Sequence, residues 1–387
     1  MAKPEKNKVK NGLVFSGKSW SYVLRVPDPV TGKTKPQWVG GFDSASSAKV
    51  ARDKARVALA NRDYVAPTKT TLGEFLTAWI EIHARHIKPT TLDGYRKLIK
   101  NYLVPGIGSI KLQDLRPSHI EAFYSDLLSS AGMTGKGLSP SSVVRCGAVL
   151  KKALRYAVEV EGLLAINPAN RVPLPKERPS TPTPWSISEL RRFLEVSETH
   201  RLRFFYWLSA NTGARRGELL ALRWSDFDGK AITISKSRTE INGAVIEQNS
   251  TKGGANGQRR VTLDPETIER FNSHRKRQLI ERMAVGEAWQ ETGYIFVQEN
   301  GLPLYPTTVT SLFSKLSDSA GLRPIRLHDL RHIHATELLR TGENLHVVAQ
   351  RLGHRDAMVT ATIYAHVTSE QSETASSRFA NALGGIS

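Results

Sequence analysis

His328-Asp329-Leu330-Arg331-His332-Ile333-His334-Ala335-Thr336, followed by Leu352-Gly353-His354 and then by Thr362-Ile363-Tyr364-Ala365-His366, is the part of the chain that decides its reading. The first stretch suits a helix, which places His328 and His332 at i and i+4 on one face. That is also the spacing of a zinc pair. A metalloprotease helix, however, needs Glu where this chain has Asp329, and Arg331 would add a positive charge beside the cation. No carboxylate or cysteine cluster completes a site, so no metal and no cofactor are expected. What the pattern supplies instead is guanidiniums and imidazoles, groups suited to holding an anion.

Working upstream, Asn211-Thr212-Gly213-Ala214-Arg215-Arg216-Gly217-Glu218-Leu219 places a turn at Gly213 ahead of a helix that carries Arg215 near its start and Glu218 at i+3. Such a pair taken alone is an ordinary surface ion pair of small energy. A β pattern follows, with strands expected at Ala231–Ser235, Ala244–Asn249 and Gln258–Leu263. Thr251-Lys252-Gly253-Gly254-Ala255-Asn256-Gly257 reads as the glycine-rich hairpin tip between the last two. It gives Lys252 mobility, and Lys236, at the end of the earlier strand, is the competing lysine.

The chain has 387 residues, 55 Lys plus Arg and 36 Asp plus Glu, a formal charge of +19. That length predicts two to three domains. The 40% hydrophobic content gives each enough apolar surface for a core, which excludes a disordered chain. The single cysteine, Cys146, excludes an internal disulfide and a cysteine-rich zinc site, and suits a reducing compartment. No stretch has the length and apolarity of a signal peptide or a bilayer span, so a soluble cytoplasmic protein with no membrane partner is expected. An excess of positive charge in such a chain points to nucleic acid. It is unevenly spread: 13 basic and 5 acidic groups in residues 1–66, 14 and 8 in 67–175, and 28 and 23 in 176–387.

Those ranges match three modules. In 1–66, Trp20–Val26 and Gln37–Phe42 read as paired strands around a turn at Pro27–Lys33, and Ser44 caps a helix over Ala45–Asn61. Lys18, Arg25, Lys33 and Lys35, on or beside this hairpin, favour insertion of the strands into a DNA groove. In 67–175, four helical segments are expected, at Thr71–Arg85, Pro89–Leu103, Pro117–Ser130 and Ser139–Glu161. The loop Gly132–Gly137 lacks P-loop spacing and a preceding strand. Pro173, Pro175, Pro179, Pro182 and Pro184 then form a stiff connector. The fold class is multidomain α+β: a small sheet-and-helix domain, an all-α domain, and a mainly α domain, 176–387, with a small antiparallel sheet.

The ordered set Arg215, Lys252, His328, Arg331, His354 and Tyr364, in Thr-Gly-x-Arg-x-x-Glu, His-x-x-Arg, Leu-Gly-His and a tyrosine ten residues beyond that histidine, resembles the tyrosine recombinase (phage integrase) family. The resemblance implies an N-terminal arm-type DNA-binding domain (1–66), a helical, SAM-like core-binding domain (67–175) and a catalytic domain (176–387), as in integrases of phages and integrative elements. It implies a site-specific recombinase that cuts and rejoins double-stranded DNA at core and arm attachment sites. Tyr364 would be the nucleophile of a 3′-phosphotyrosine intermediate, Arg215 and Arg331 the phosphate clamp, Lys252 the acid for the leaving 5′-oxygen, His328 a base and phosphate ligand, and His354 a phosphate donor. Glu218 would orient the helix or an arginine behind them.

The chemistry fits those residue types. A phosphodiester gains charge on its way to a phosphorane, so forked guanidinium donors favour the transition state over the ground state. A phenolate of ordinary pKa ~10 leaves well enough for religation. The resemblance further implies a homotetramer on DNA, with the tail Thr368–Ser387 packing on a neighbouring protomer through its apolar patch Phe379–Leu383. An excision or directionality factor and a host DNA-bending protein are the accessory partners it implies. His332, His334 and His366 carry no implied role and read as structural. The rivals are a type IB topoisomerase, which needs no pair of defined sites, and a DNA-binding regulator without catalysis. Against the regulator, all six catalytic positions are filled.

Overall fold

Alternation of inward Tyr22 and Leu24 with outward Val23 and Arg25 makes the first strand pair, and the computed structural model shows it as one side of a larger sheet. The structure describes residues 8–10, 12–27, 33–61, 64–130, 136–176, 184–249, 257–354 and 358. The chain divides into two units, Met1–Pro179 and Ser180–Ser387.

In the first unit, β1 (Lys8–Lys10), β2 (Leu13–Phe15), β3 (Trp20–Pro27) and β4 (Thr34–Phe42) form an antiparallel sheet in that order. The short β1 and β2 were not expected from sequence. Helix α1 (Ala45–Ala60), capped by Ser44 as expected, covers one face, and Leu13, Tyr22, Leu24 and Ala48 bury between them. On the uncovered side, Val23 pairs with Trp38 and Arg25 with Pro36. Trp38 is 62% exposed there, beside the exposed Arg25.

The helical part of this unit follows the expected segments closely. Helix α2 (Leu72–His83) opens with a capping box: Glu74 N–H donates to Thr71 Oγ1 at 3.3 Å and Thr71 N–H to Glu74 Oε2 at 2.8 Å. Helix α3 (Pro89–Leu98) passes through a π turn at Ile99–Leu103 into α4 (Val104–Ile107). That wider turn falls just before Pro105, which has no N–H to return to the preceding turn. Helices α5 (Pro117–Ser129) and α6 (Pro140–Glu159) complete the bundle. Its core holds Trp79, Leu103, Ile120 and Leu150, and also Cys146, a free thiol that burial pushes up to about 11.

The second unit runs α7 (Ile187–Ser197), α8 (Arg203–Thr212), α9 (Arg216–Ala221), β5 (Ala231–Ile234), β6 (Ser237–Ile241), β7 (Ala244–Gln248), β8 (Arg259–Thr262), α10 (Pro265–Val285), α11 (Pro306–Ser319), α12 (Asp329–Arg340) and α13 (Leu345–Leu352). One expectation is corrected. The strands at 244 and 259 are not partners: β7 pairs with β6 (Ser237↔Gln248), while β8 pairs back to β5 (Ala231↔Thr262). The turn that makes β6–β7 a hairpin is Asn242-Gly243, both at positive φ (50° and 78°), the geometry a two-residue hairpin loop requires. The segment with Lys252 thus runs between strands of two separate two-stranded sheets and itself lies outside the described residues.

An aromatic core holds these elements: Phe193 and Phe313 lie 4.9 Å apart, and Trp185, Phe205, Tyr206 and Phe296 bury around them. The polar atoms buried with them are satisfied, Tyr206 donating to Val309 O at 2.9 Å and Trp185 Nε1 to Arg323 O at 2.9 Å. Among the described residues, no helix is long and apolar enough to cross a membrane. Replacing Phe313 with Ala should cost about 3–5 kcal/mol through the cavity it opens, read as a lower urea midpoint for the unfolding of this unit. An unchanged midpoint would show that Phe313 is not part of the packed centre.

Candidate active site

Two glycines end helices here, and both ends point at one arginine. Gly213 (φ 60°) terminates α8 and Gly353 (φ 66°) terminates α13, each in the left-handed conformation that glycine adopts without strain. There is no room for a side chain at either: a Cβ on Gly213 would sit 2.7 Å from Leu352 Cδ2, and one on Gly353 would sit 2.7 Å from Arg259 Nη1. Between these ends lies Arg331 of α12, 3% exposed, donating from Nη1 to Gly213 O at 2.8 Å and from Nη2 to Leu352 O at 2.7 Å. Carbonyls at helix C-termini lack intrahelical partners and carry partial negative charge, which suits a buried cation.

Arg215, the N-cap residue of α9, is held by Glu218. Its own N–H donates to Glu218 Oε2 at 3.0 Å and its Nη1 to Oε1 at 2.8 Å. Glu218 is 1% exposed and takes a second guanidinium, Arg259 Nη2, on Oε2 at 2.8 Å. Burial pulls its carboxyl upward, but the charge and hydrogen bond of Arg259 and then those of Arg215 outweigh it, leaving the group below its ordinary value. The pair expected to be a surface contact if read alone is therefore part of a three-membered cluster around a buried carboxylate.

His328 is the residue before α12, three positions ahead of Arg331 on the same element, and His354 follows Gly353 at the end of α13 that Arg331 caps. Burial, then His332 and the guanidiniums of Arg331 and Arg215, push His328 down to about 4. Burial, then Arg331, Arg215 and Arg259, push His354 down to about 4. Each histidine feels both arginines, so these four residues, from three separate motifs, lie within one region of positive field. Both rings are neutral at pH 7, which leaves each a ring nitrogen able to accept a proton.

The remaining expected residues fall as follows. Lys252 and Tyr364 lie outside the described residues, as does His366. Lys236, the competing lysine, is paired with Glu247 at 3.5 Å on the β6–β7 hairpin. His332 stacks edge-on against His328 with centroids 5.4 Å apart. His334 is structural: its Nε2 accepts from Arg351 Nε at 3.2 Å, and its ring abuts Gly213. Among the described residues, no group of three or more His, Cys, Asp or Glu could hold a metal. Of the rival tyrosines, Tyr22, Tyr124 and Tyr206 are buried, and Tyr294 is engaged with Glu247 and Arg223. In the first unit Lys18 lies in the β2–β3 turn, Lys33 and Lys35 are exposed at the start of β4, and Arg25 is on the uncovered face. Sequence reasoning missed Arg259 at the site; it placed Trp38 in a strand without giving it a role.

The phage integrase family model matches residues 186–371, and the model of the phage integrase N-terminal SAM-like domain matches 71–128. The chain belongs to the phage integrase family. It is a tyrosine-type site-specific recombinase, an enzyme that breaks and rejoins DNA strands. Among its relatives, a tyrosine recombinase described as XerC-like from Caldanaerobacter subterraneus subsp. tengcongensis is 29% identical over 324 residues, 78% of this chain and 80% of the relative. The ICEBs1 integrase of Bacillus subtilis is 28% identical over 287 residues, 72% of this chain and 74% of the relative. The same fold occurs in the Tn1549 transposon integrase solved with circular intermediate DNA, with a TM-score of 0.67, 19% identity, and 80% of this chain and 99% of that one covered. A lambda integrase dimer bound to a core site gives 0.57 and 20%, covering 93% of this chain and 96% of that one.

The neutral histidines give the integrase a pH signature. His328 and His354 at about 4, and His274 and His334, which burial pushes down to about 3, all lie below the ordinary ~6.5. Between those values the unfolded chain binds protons that the native one refuses. The stabilisation is complete above ~6.5 and is lost as pH falls through about 4. Urea midpoints should be level above neutrality and fall steadily from pH 6.5 downward; a midpoint that rises on acidification contradicts these neutral rings.

Proposed function

We propose that this recombinase integrates a phage or other mobile element by cutting and rejoining DNA at attachment sites, with Tyr364 as nucleophile. The observation that carries the assignment of roles is that Arg215, His328, Arg331 and His354, contributed by three separate motifs, fall within one region of positive field, with Arg331 bonded to the helix end just before His354. Arg215 and Arg331 clamp the non-bridging oxygens of the scissile phosphate, where charge grows as the phosphorane forms. Tyr364 Oη bonds to phosphorus and the bond to the 5′-oxygen breaks. Lys252 gives that oxygen its proton, and neutral His328 accepts the tyrosine proton and supports the phosphate. His354 donates to the phosphate. One phosphoester replaces another, so the step is near isoenergetic and religation runs it backward with a new 5′-hydroxyl.

The domains divide the binding. Residues 1–66 hold arm DNA through the uncovered sheet face and its flanking cations, Lys18, Arg25, Lys33 and Lys35. Residues 67–175 with 176–387 take the core site, and tethering to the arm raises the effective concentration at the core. Lambda integrase has been solved as a tetramer on a Holliday junction, with a TM-score of 0.56 to this chain. The reading here is likewise a homotetramer on DNA, its tail Thr368–Ser387 packing on a neighbour, in the bacterial cytoplasm on the nucleoid. A directionality factor and a host DNA-bending protein act beside it.

Wild-type protein incubated in EDTA with a nicked core substrate should form a covalent protein–DNA adduct, and Tyr364→Phe should form none. An adduct that persists in the Phe variant moves the nucleophile elsewhere, and no wild-type adduct on DNA that is bound with its arm sites present overturns the catalytic reading. Removing Thr368–Ser387 should reduce recombination far more than binding to a single core site, measured side by side; equal losses would refute packing between protomers.

A further inference from the structure

Arg259 stands on β8, a strand that the sequence reading paired with Ala244–Asn249 and that supplied none of the expected site residues. Its side chain is 3% exposed and its guanidinium is spent on three different parts of the chain. Nη2 donates to Glu218 Oε2 at 2.8 Å, Nε to Arg351 O at 2.7 Å, and Nη1 to Gly257 O at 3.0 Å. Those acceptors belong to the helix that carries Arg215, to the last turn before Gly353-His354, and to the chain just after the segment containing Lys252. One planar fork thus touches the supports of Arg215 and of His354 at once.

The charges matter as much as the geometry. Glu218 is a single buried carboxylate with two guanidiniums on it. With both in place the trio keeps one net positive charge. With Arg259 removed, the carboxylate would be balanced by Arg215 alone, and the arginine meant for phosphate would be neutralised by its own neighbour.

We propose that Arg259 is a positioning residue for strand cleavage: by sharing Glu218 it leaves the charge of Arg215 to the scissile phosphate, and by holding Arg351 O it fixes the turn that carries His354. The inference rests on the catalytic reading of the pocket given above. Lysine cannot replace it, because an ammonium is a point donor and cannot span three acceptors fixed on separate elements. Gly353 completes the arrangement, since a Cβ there would occupy the space of Arg259 Nη1.

The test compares wild type, Arg259→Met, Arg259→Lys, Glu218→Gln and the double variant Glu218→Gln/Arg259→Met in the full chain. The measurements are single-turnover adduct formation on nicked core DNA, the DNA concentration giving half the maximal rate, and the urea midpoint. Arg259→Met should slow the maximal rate about 10–100-fold, the range of a weakened charge interaction in a transition state, with half-saturation little changed. Arg259→Lys should fall between it and wild type. The double variant should cleave faster than Arg259→Met alone, because the uncompensated carboxylate is gone; such non-additivity marks a direct coupling. A merely structural arginine predicts the opposite, a double variant no faster than the single and a midpoint that falls with the rate. A wild-type rate in Arg259→Met, or a double variant no faster than it, overturns the proposal. If Arg259→Met does not fold, Arg259→Lys carries the test, and a wild-type rate there overturns it. Absence of an adduct from wild type itself would instead sink the catalytic reading, and this inference with it.

Discussion

Arg331 donating to Gly213 O and Leu352 O is the contact on which the catalytic unit is organised. Helices α8 and α13 are far apart in the chain, and each ends with exposed carbonyl dipoles directed inward. Buried without a cation, those ends would leave polar groups unsatisfied; buried alone, the guanidinium would be an uncompensated charge. Each solves the problem of the other. The same arrangement brings His354, the residue after Gly353, within the electrostatic reach of Arg331, so its place follows from satisfying backbone.

The second layer repeats this logic with different acceptors. Arg351 reaches Asn211 O at 3.1 Å and Thr262 O at 3.2 Å, and Arg259 reaches Arg351 O. Guanidiniums therefore knit α8, α13 and β8 together in a region with few carboxylates besides Glu218. Concentrating like charge in this way is unfavourable by itself, and the neutral state of the histidines is one response to it. An anion placed in the pocket would relieve the strain of this field, which is why such a site favours a phosphate over any neutral ligand.

Much of this was legible because the chemistry-bearing residues come with glycines that mark helix ends. Thr212-Gly213-Ala214-Arg215 and Leu352-Gly353-His354 announce a left-handed turn beside a functional side chain, and helix α12 and the strand over Ala231–Ser235 came out in place. In the second unit, what was not legible shares one cause: arginine in an inward position. Strand β8 buries Arg259 and Val261 and exposes Arg260 and Thr262, so its parity puts a basic residue on the core side. In β6, Arg238 is 5% exposed with its guanidinium 4.6 Å from the Tyr294 ring, and a run that looks polar throughout hides a strand. Asn242-Gly243 was the available sign of that hairpin, and it was passed over because the flanking alternation was masked by Arg238. Strand parity, applied to charged as well as apolar residues, would have recovered both.

The lone thiol in the helical bundle has a practical consequence. Cys146 is buried within α6 and its thiol is pushed up to about 11, so at neutral pH it is neither ionised nor accessible to an alkylating reagent. Its modification therefore requires this bundle to open. With no other cysteine anywhere in the sequence, the labelling rate of the intact enzyme becomes a private clock for the breathing of one domain, read with no competing thiol.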